Sequence, residues 1–135
     1  MKIISIKFLV LLLLSQLVQD STNNKLNHFF YSMDLPLRCV NFQEDRYSEG
    51  VIHYYSFIDG GSIIIVEGSL LEFPMDNLLR TDYKKVSIKK VDGLWEGVRI
   101  IDKKSSVRVY FTNVKGKNKK KYISSIDSII LRHKI

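Results

Sequence analysis

The chain has 135 residues, 21 Lys plus Arg against 14 Asp plus Glu, a formal charge of +7 and one cysteine. That length leaves room for one small core and excludes a multidomain architecture. A lone cysteine excludes an internal disulfide, so the domain must hold itself together by packing.

The chain opens with a short basic stretch bounded by Lys2 and Lys7, runs apolar from Phe8 to Leu14, and turns polar at Gln19, Asp20 and Ser21. A positive start, a short apolar run and a polar exit are the layout of a secretory signal, here over residues 1–20. A spanning helix needs about twenty apolar residues. The stretch Ile3 to Val18 approaches that only by including Lys7, Ser15 and Gln16. The expectation is export to a periplasm or the exterior. Membrane attachment would come only through an uncleaved N-terminal segment, and no clean Ala-x-Ala site is present. Residues 21–34 then read as a flexible mature N-terminus and 35–135 as a single α+β domain.

Charge is unevenly spread. Residues 21–79 hold 3 basic against 8 acidic side chains, a net of −5, whereas residues 80–135 hold 16 against 5, a net of +11. Two halves of opposite sign attract each other when packed, and an excess on one surface attracts an anionic partner.

Leu35-Pro36-Leu37 opens an extended piece, since proline biases the preceding residue away from the helical region, and Leu37 to Phe42 reads as a first strand. Val51 to Ile58 and Ser62 to Val66 are β-branched and aromatic runs flanking Asp59-Gly60-Gly61, a hairpin signature. With Gly60-Gly61 as the loop, Phe57 pairs with Ile64, Tyr55 with Val66 and Tyr54 with Glu67. The unbroken apolar run Ile63 to Val66 predicts a central strand covered on both faces. Leu70 to Met75 continues in extended form to Pro74.

Three more strands follow: one around Val86 and Ile88, then Leu94 to Ile101 and Ser106 to Val114, with turns at Asp92-Gly93 and at Asp102 to Ser105. A four-residue loop at 102–105 pairs Ile100 with Val107, Val98 with Val109 and Arg99 with Arg108, with Gly97 opposite Tyr110 and Trp95 opposite Thr112. Tyr122, Ile123, Ile126, Ile129 and Ile130 recur at helical spacing, so Lys119 to Arg132 is predicted as an amphipathic helix. The predicted architecture is an antiparallel β-meander of five or six strands with this C-terminal helix packed on the sheet, an α+β fold.

No catalytic motif emerges. His28, His53 and His133 lie in different elements without ligand-like spacing, so neither metal nor cofactor is assigned. Cys39 has no nearby base and reads as a small buried hydrophobe. Acids near the first hairpin, Asp59, Glu67, Glu72 and Asp76, supply the carboxylates for an alternative reading as a small hydrolase; an envelope accessory protein is the other alternative.

The feature that departs from an ordinary surface is basic and aromatic. Opposed Arg99 and Arg108 would repel each other across the sheet, and Trp95 and Tyr110 would share their face, extended by Lys85 and Lys89. Lys117, Lys119, Lys120 and Lys121 crowd a helix start where the macrodipole is already positive. The expectation is a small exported binding protein whose basic face meets an acidic protein or an anionic envelope polymer. Nucleic acid is disfavoured by the expected compartment and by the absence of a recognised motif.

Overall fold

The structure is a computed structural model, and it describes residues 19–20, 25–28, 30–68, 86–102 and 106–132. The signal-like segment up to Val18, the extended piece Leu70 to Met75 and Lys85 lie outside the described residues. Among the described residues, no helix is long and apolar enough to cross a membrane.

Among the described residues the molecule is mostly antiparallel sheet with one short C-terminal helix. The larger sheet comprises β4 (Cys39–Tyr47), β5 (Gly50–Phe57), β6 (Ser62–Glu67), β7 (Ser87–Val91), β8 (Leu94–Asp102) and β9 (Val107–Val114). A smaller antiparallel sheet joins β1 (Gln19–Asp20), β2 (Lys25–Asn27), β3 (Tyr31–Asp34) and β10 (Ile130–Leu131). A 3-10 turn at Gly116–Asn118 leads into α1 (Lys119–Asp127).

The six strands lie in the order β4-β5-β6-β9-β8-β7. This is not the single meander expected. Two three-stranded meanders stand side by side, joined where β6 pairs with β9. Central placement of β6 fits its apolar run: Ile63, Ile64, Ile65 and Val66 are all buried. The Asp92-Gly93 turn between β7 and β8 is present, with φ of 50° and 80°, the left-handed pair that a two-residue hairpin loop requires.

Two predicted registers differ. In the first hairpin Tyr55 pairs with Ile63 and Tyr54 with Ile64, not with Val66 and Glu67. The loop is longer because Asp59 Oδ1 accepts the Gly61 N–H at 2.9 Å, an Asx-type turn that leaves five residues between Ser56 and Ser62. In the second, Ile100 pairs with Arg108, Arg99 with Val109, Val98 with Tyr110 and Gly97 with Phe111. Irregularities between Ile100 and Asp102 and between Trp95 and Gly97 shift the ladder by one residue, and Asn113 takes a φ of 57° on the facing strand. Because side chains alternate faces, a one-residue shift places Arg99 and Arg108 on opposite sides of the sheet.

The N-terminal stretch also differs from expectation. Lys25–Asn27 and Tyr31–Asp34 are strands, and Leu26, Tyr31 and Met33 on them, with Leu35 just beyond, are buried members of the main apolar cluster. Tyr31, Met33 and Leu35 alternate at period two and so share one face, while Ser32 between them is also buried. The same cluster includes Tyr55, Ile63, Val109 and Phe111 of the large sheet, together with Tyr122, Ile126 and Ile129. Ile52, Ile64, Val66, Val98 and Tyr110 form a second cluster.

The helix ends at Asp127, not Arg132, and the chain re-enters a strand at Ile130, which pairs with Ser32. Ile126 is fully buried and Ile123 half-buried, whereas Ile130, expected in the core, is 63% exposed.

Candidate functional site

Two places carry concentrated polar chemistry. The first is the end of the large sheet around Trp95. Lys90 of β7 stands directly opposite Trp95 in the ladder, and its Nζ lies 5.8 Å from the indole centroid. Lys119, the first residue of α1, places its Nζ 4.0 Å from the same centroid. Cation–π attraction to tryptophan holds two ammonium groups from sequence-distant segments on one ring. Lys89, Lys115, Lys117, Lys120 and Lys121 are exposed in the same two segments. Among the described residues, none of these lysines forms an ion pair.

The helix start is held from the hairpin loop. Asn118, the N-cap residue, makes no side-chain capping bond; its Nδ2 donates instead to Asp59 Oδ2 at 2.9 Å. Tyr122 Oη donates to Asp59 Oδ1 at 2.6 Å. Burial alone would raise the Asp59 pKa, but the bonds from Tyr122, the Gly61 N–H and Asn118 outweigh it and hold the carboxyl below its ordinary range. Asp59 is therefore an ionised anchor for the lysine-bearing turn.

The expected basic aromatic face does not assemble as one surface. Tyr110 is fully buried in the second cluster and cannot stack on a ligand. Arg108 is 7% exposed, and its Nη2 donates to the Gly68 carbonyl at 2.9 Å. Arg99 projects to the other side, where its Nη1 donates to the Ile126 carbonyl at 3.0 Å. Both arginines brace backbone carbonyls. Trp95, Lys117, Lys119, Lys120 and Lys121 remain as the surface group, joined by Lys90; Lys89 stands opposite Glu96 in the ladder and so faces the other side of the sheet from Trp95. Of the acids near the first hairpin, Asp59 is committed to this anchoring, and Glu72 and Asp76 lie outside the described residues.

The second place was not legible as a group. His28 and His53, expected to lie apart, have ring centroids 4.8 Å from each other. Glu44 stands opposite His53 across the β4–β5 ladder, and its Oε1 lies 2.7 Å from His53 Nε2. Its other oxygen accepts from Arg46 Nε at 2.9 Å. On the far side of the ring, His53 Nδ1 lies 2.7 Å from the Tyr31 hydroxyl, which in turn bonds the Tyr55 hydroxyl. His28 stacks on the Tyr31 ring, 4.5 Å between centroids and 11° between planes, and its Nδ1 accepts the Phe30 N–H at 3.2 Å.

Burial, then the neighbouring His53, pushes His28 down to about 4. His53 is also lowered by burial, which outweighs the opposing pull of Glu44. Both imidazoles are neutral near pH 7. Burial would raise Glu44, yet the bonds from His53 and Arg46 hold it below the ordinary carboxylate range. Burial and the adjacent Tyr55 hydroxyl raise Tyr31 well above its usual range, so it stays a neutral phenol.

A first strand ending at Phe42 leaves Glu44 off the ladder. The usable signal is Ser48-Glu49 as a two-residue loop, which pairs Tyr47 with Gly50 and then Glu44 with His53. Cys39 is half-buried and packed at the edge of the main cluster, where burial raises its thiol pKa and makes it a poor nucleophile. Comparison with protein families, with curated proteins and with solved structures gives no match for this chain.

Proposed function

We propose that the chain is a small exported binding protein whose lysine-rich, tryptophan-bearing end takes an anionic polymer. The observation that carries this reading is the convergence of Lys90 and Lys119 on Trp95, with further exposed lysines in both segments. Lysines at a helix N-terminus oppose the macrodipole by about 0.3 to 1 kcal/mol each. No acidic residue occupies that first turn to relieve them. A surface that retains such an arrangement gains from an anion that neutralises it.

The helix is read here as laid on the large sheet, so that its start is fixed beside Trp95. Support comes from the Phe57–Tyr122 edge-on ring pair at 5.6 Å, the Phe111–Tyr122 pair at 5.9 Å and the Arg99 bond to the Ile126 carbonyl. The polymer lies across several ammonium groups at once, which gives avidity without a deep pocket and makes binding salt-dependent. Export rests on the signal-like N-terminus alone.

The test is retention on a sulfated-polysaccharide matrix under a salt gradient. Lys119→Gln with Lys120→Gln should elute clearly earlier than the charge-matched pair Lys25→Gln with Arg38→Gln, two exposed cations on other elements. Equal shifts would reduce the effect to net charge and end the proposal.

A further inference from the structure

We propose that His28, Glu44 and His53 form a binding site for one divalent transition-metal ion, zinc being the ion their donor set fits. The reading is independent of the basic end. One ligand atom from each of the three lies within 4.8 Å of the others. Donors about 2.0 to 2.2 Å from a tetrahedral zinc stand roughly 3.3 to 3.6 Å apart, so closure needs movements of about an ångström. Glu44 Oε1 already stands 2.7 Å from Nε2 of buried His53, the fixed point, so half-buried His28 makes most of that adjustment.

The hydrogen bonding suits a metal as well as it suits the proton now between His53 and Glu44. A ligating imidazole usually donates its second ring N–H to an oxygen, which fixes the tautomer. Here His53 Nε2 faces Glu44, and Nδ1 faces the Tyr31 hydroxyl at 2.7 Å. With metal on Nε2, Nδ1–H donates to Tyr31, and the Tyr31 hydroxyl donates onward to Tyr55. No polar atom in that chain loses its partner. Arg46 stays on the carboxylate oxygen that does not face His53. His28 gives up one long bond from the Phe30 N–H when its proton moves to Nδ1. Two imidazoles and one carboxylate leave a fourth position for water, the composition of open zinc sites.

The donors also come from different parts of the chain: His28 precedes β3, Glu44 lies on β4 and His53 on β5. Zinc would therefore clip the small sheet's leading segment to the large sheet, and its binding should raise the unfolding midpoint of the full chain.

Calorimetric titration of zinc chloride into the full chain in chelator-free buffer tests the site, with cobalt absorption reporting coordination. One equivalent should bind, and cobalt should give the intense visible bands of a four-coordinate ion. His28→Ala and Glu44→Gln, less buried than His53 and so safer for folding, should each weaken zinc by roughly tenfold or more. Circular dichroism verifies that both variants are folded. His133→Ala and Cys39→Ser should bind as the parent does. Absence of saturable binding by the parent overturns the site. So does binding that survives both His28→Ala and Glu44→Gln, or that is lost instead with His133 or Cys39.

Discussion

Asp59 shows how one side chain joins two distant elements. It accepts from Tyr122, Asn118 and the Gly61 N–H, so Asp59→Ala leaves a buried phenol and a buried amide without their acceptor. A loss of about 2 to 3 kcal/mol in chemical denaturation is expected, the scale of hydrogen bonds to a charged group. The folded carboxyl titrates below its ordinary value. Its contribution is therefore complete above the ordinary aspartate range and disappears as the pH falls through the lowered folded value. A stability profile between pH 2 and pH 6 should be flatter in Asp59→Asn than in the parent. The arginines give a second prediction at this scale. An opposed pair would make their removal harmless, but Arg99 and Arg108 each hold a backbone carbonyl. Arg99→Ala and Arg108→Ala should each lower stability by about 1 to 3 kcal/mol in the same assay.

At the scale of elements, the isoleucines of the C-terminal segment separate helix from strand. Ile126 is fully buried, whereas Ile130 is 63% exposed on a two-residue strand. Ile126→Asp should cost about 3 kcal/mol or more by burying an unpaired charge in place of apolar surface. Ile130→Asp should stay within about 0.5 kcal/mol, as exposed positions do. Equal costs at the two positions would contradict the helix end at Asp127. Helical periodicity found the element but not its end, because Ile129 and Ile130 continue the spacing while Ser128 already caps the helix. The strands of β5, β6, β8 and β9 were legible from their β-branched and aromatic runs. Their registers were not, since Asp59 and Asn113 act through local turn and bulge geometry that residue type alone does not fix.

At the scale of the molecule, strand existence was legible and strand order was not. Pairing β6 with β9 brings together residues forty or more positions apart, and no local pattern encodes that choice. The same pairing decided which candidate residues stay together. Trp95 and the helix-start lysines were legible only as two separate candidates, because nothing local in the sequence brings Lys90 and Lys119 to one ring. The His28, Glu44 and His53 cluster was hidden, because it needs β4 extended past Phe42 and Lys25–Asn27 and Tyr31–Asp34 folded as strands. Trp95 is the only tryptophan in the chain, so its emission reports directly on the surface assigned to the polymer. Titrating a sulfated polysaccharide into the full chain at low salt should give a saturable change in that emission. The change should vanish at about 1 M salt, where the screening length is about 3 Å, and weaken strongly in Lys119→Gln with Lys120→Gln. Emission that stays constant throughout the titration, or a change that survives high salt, would contradict the account.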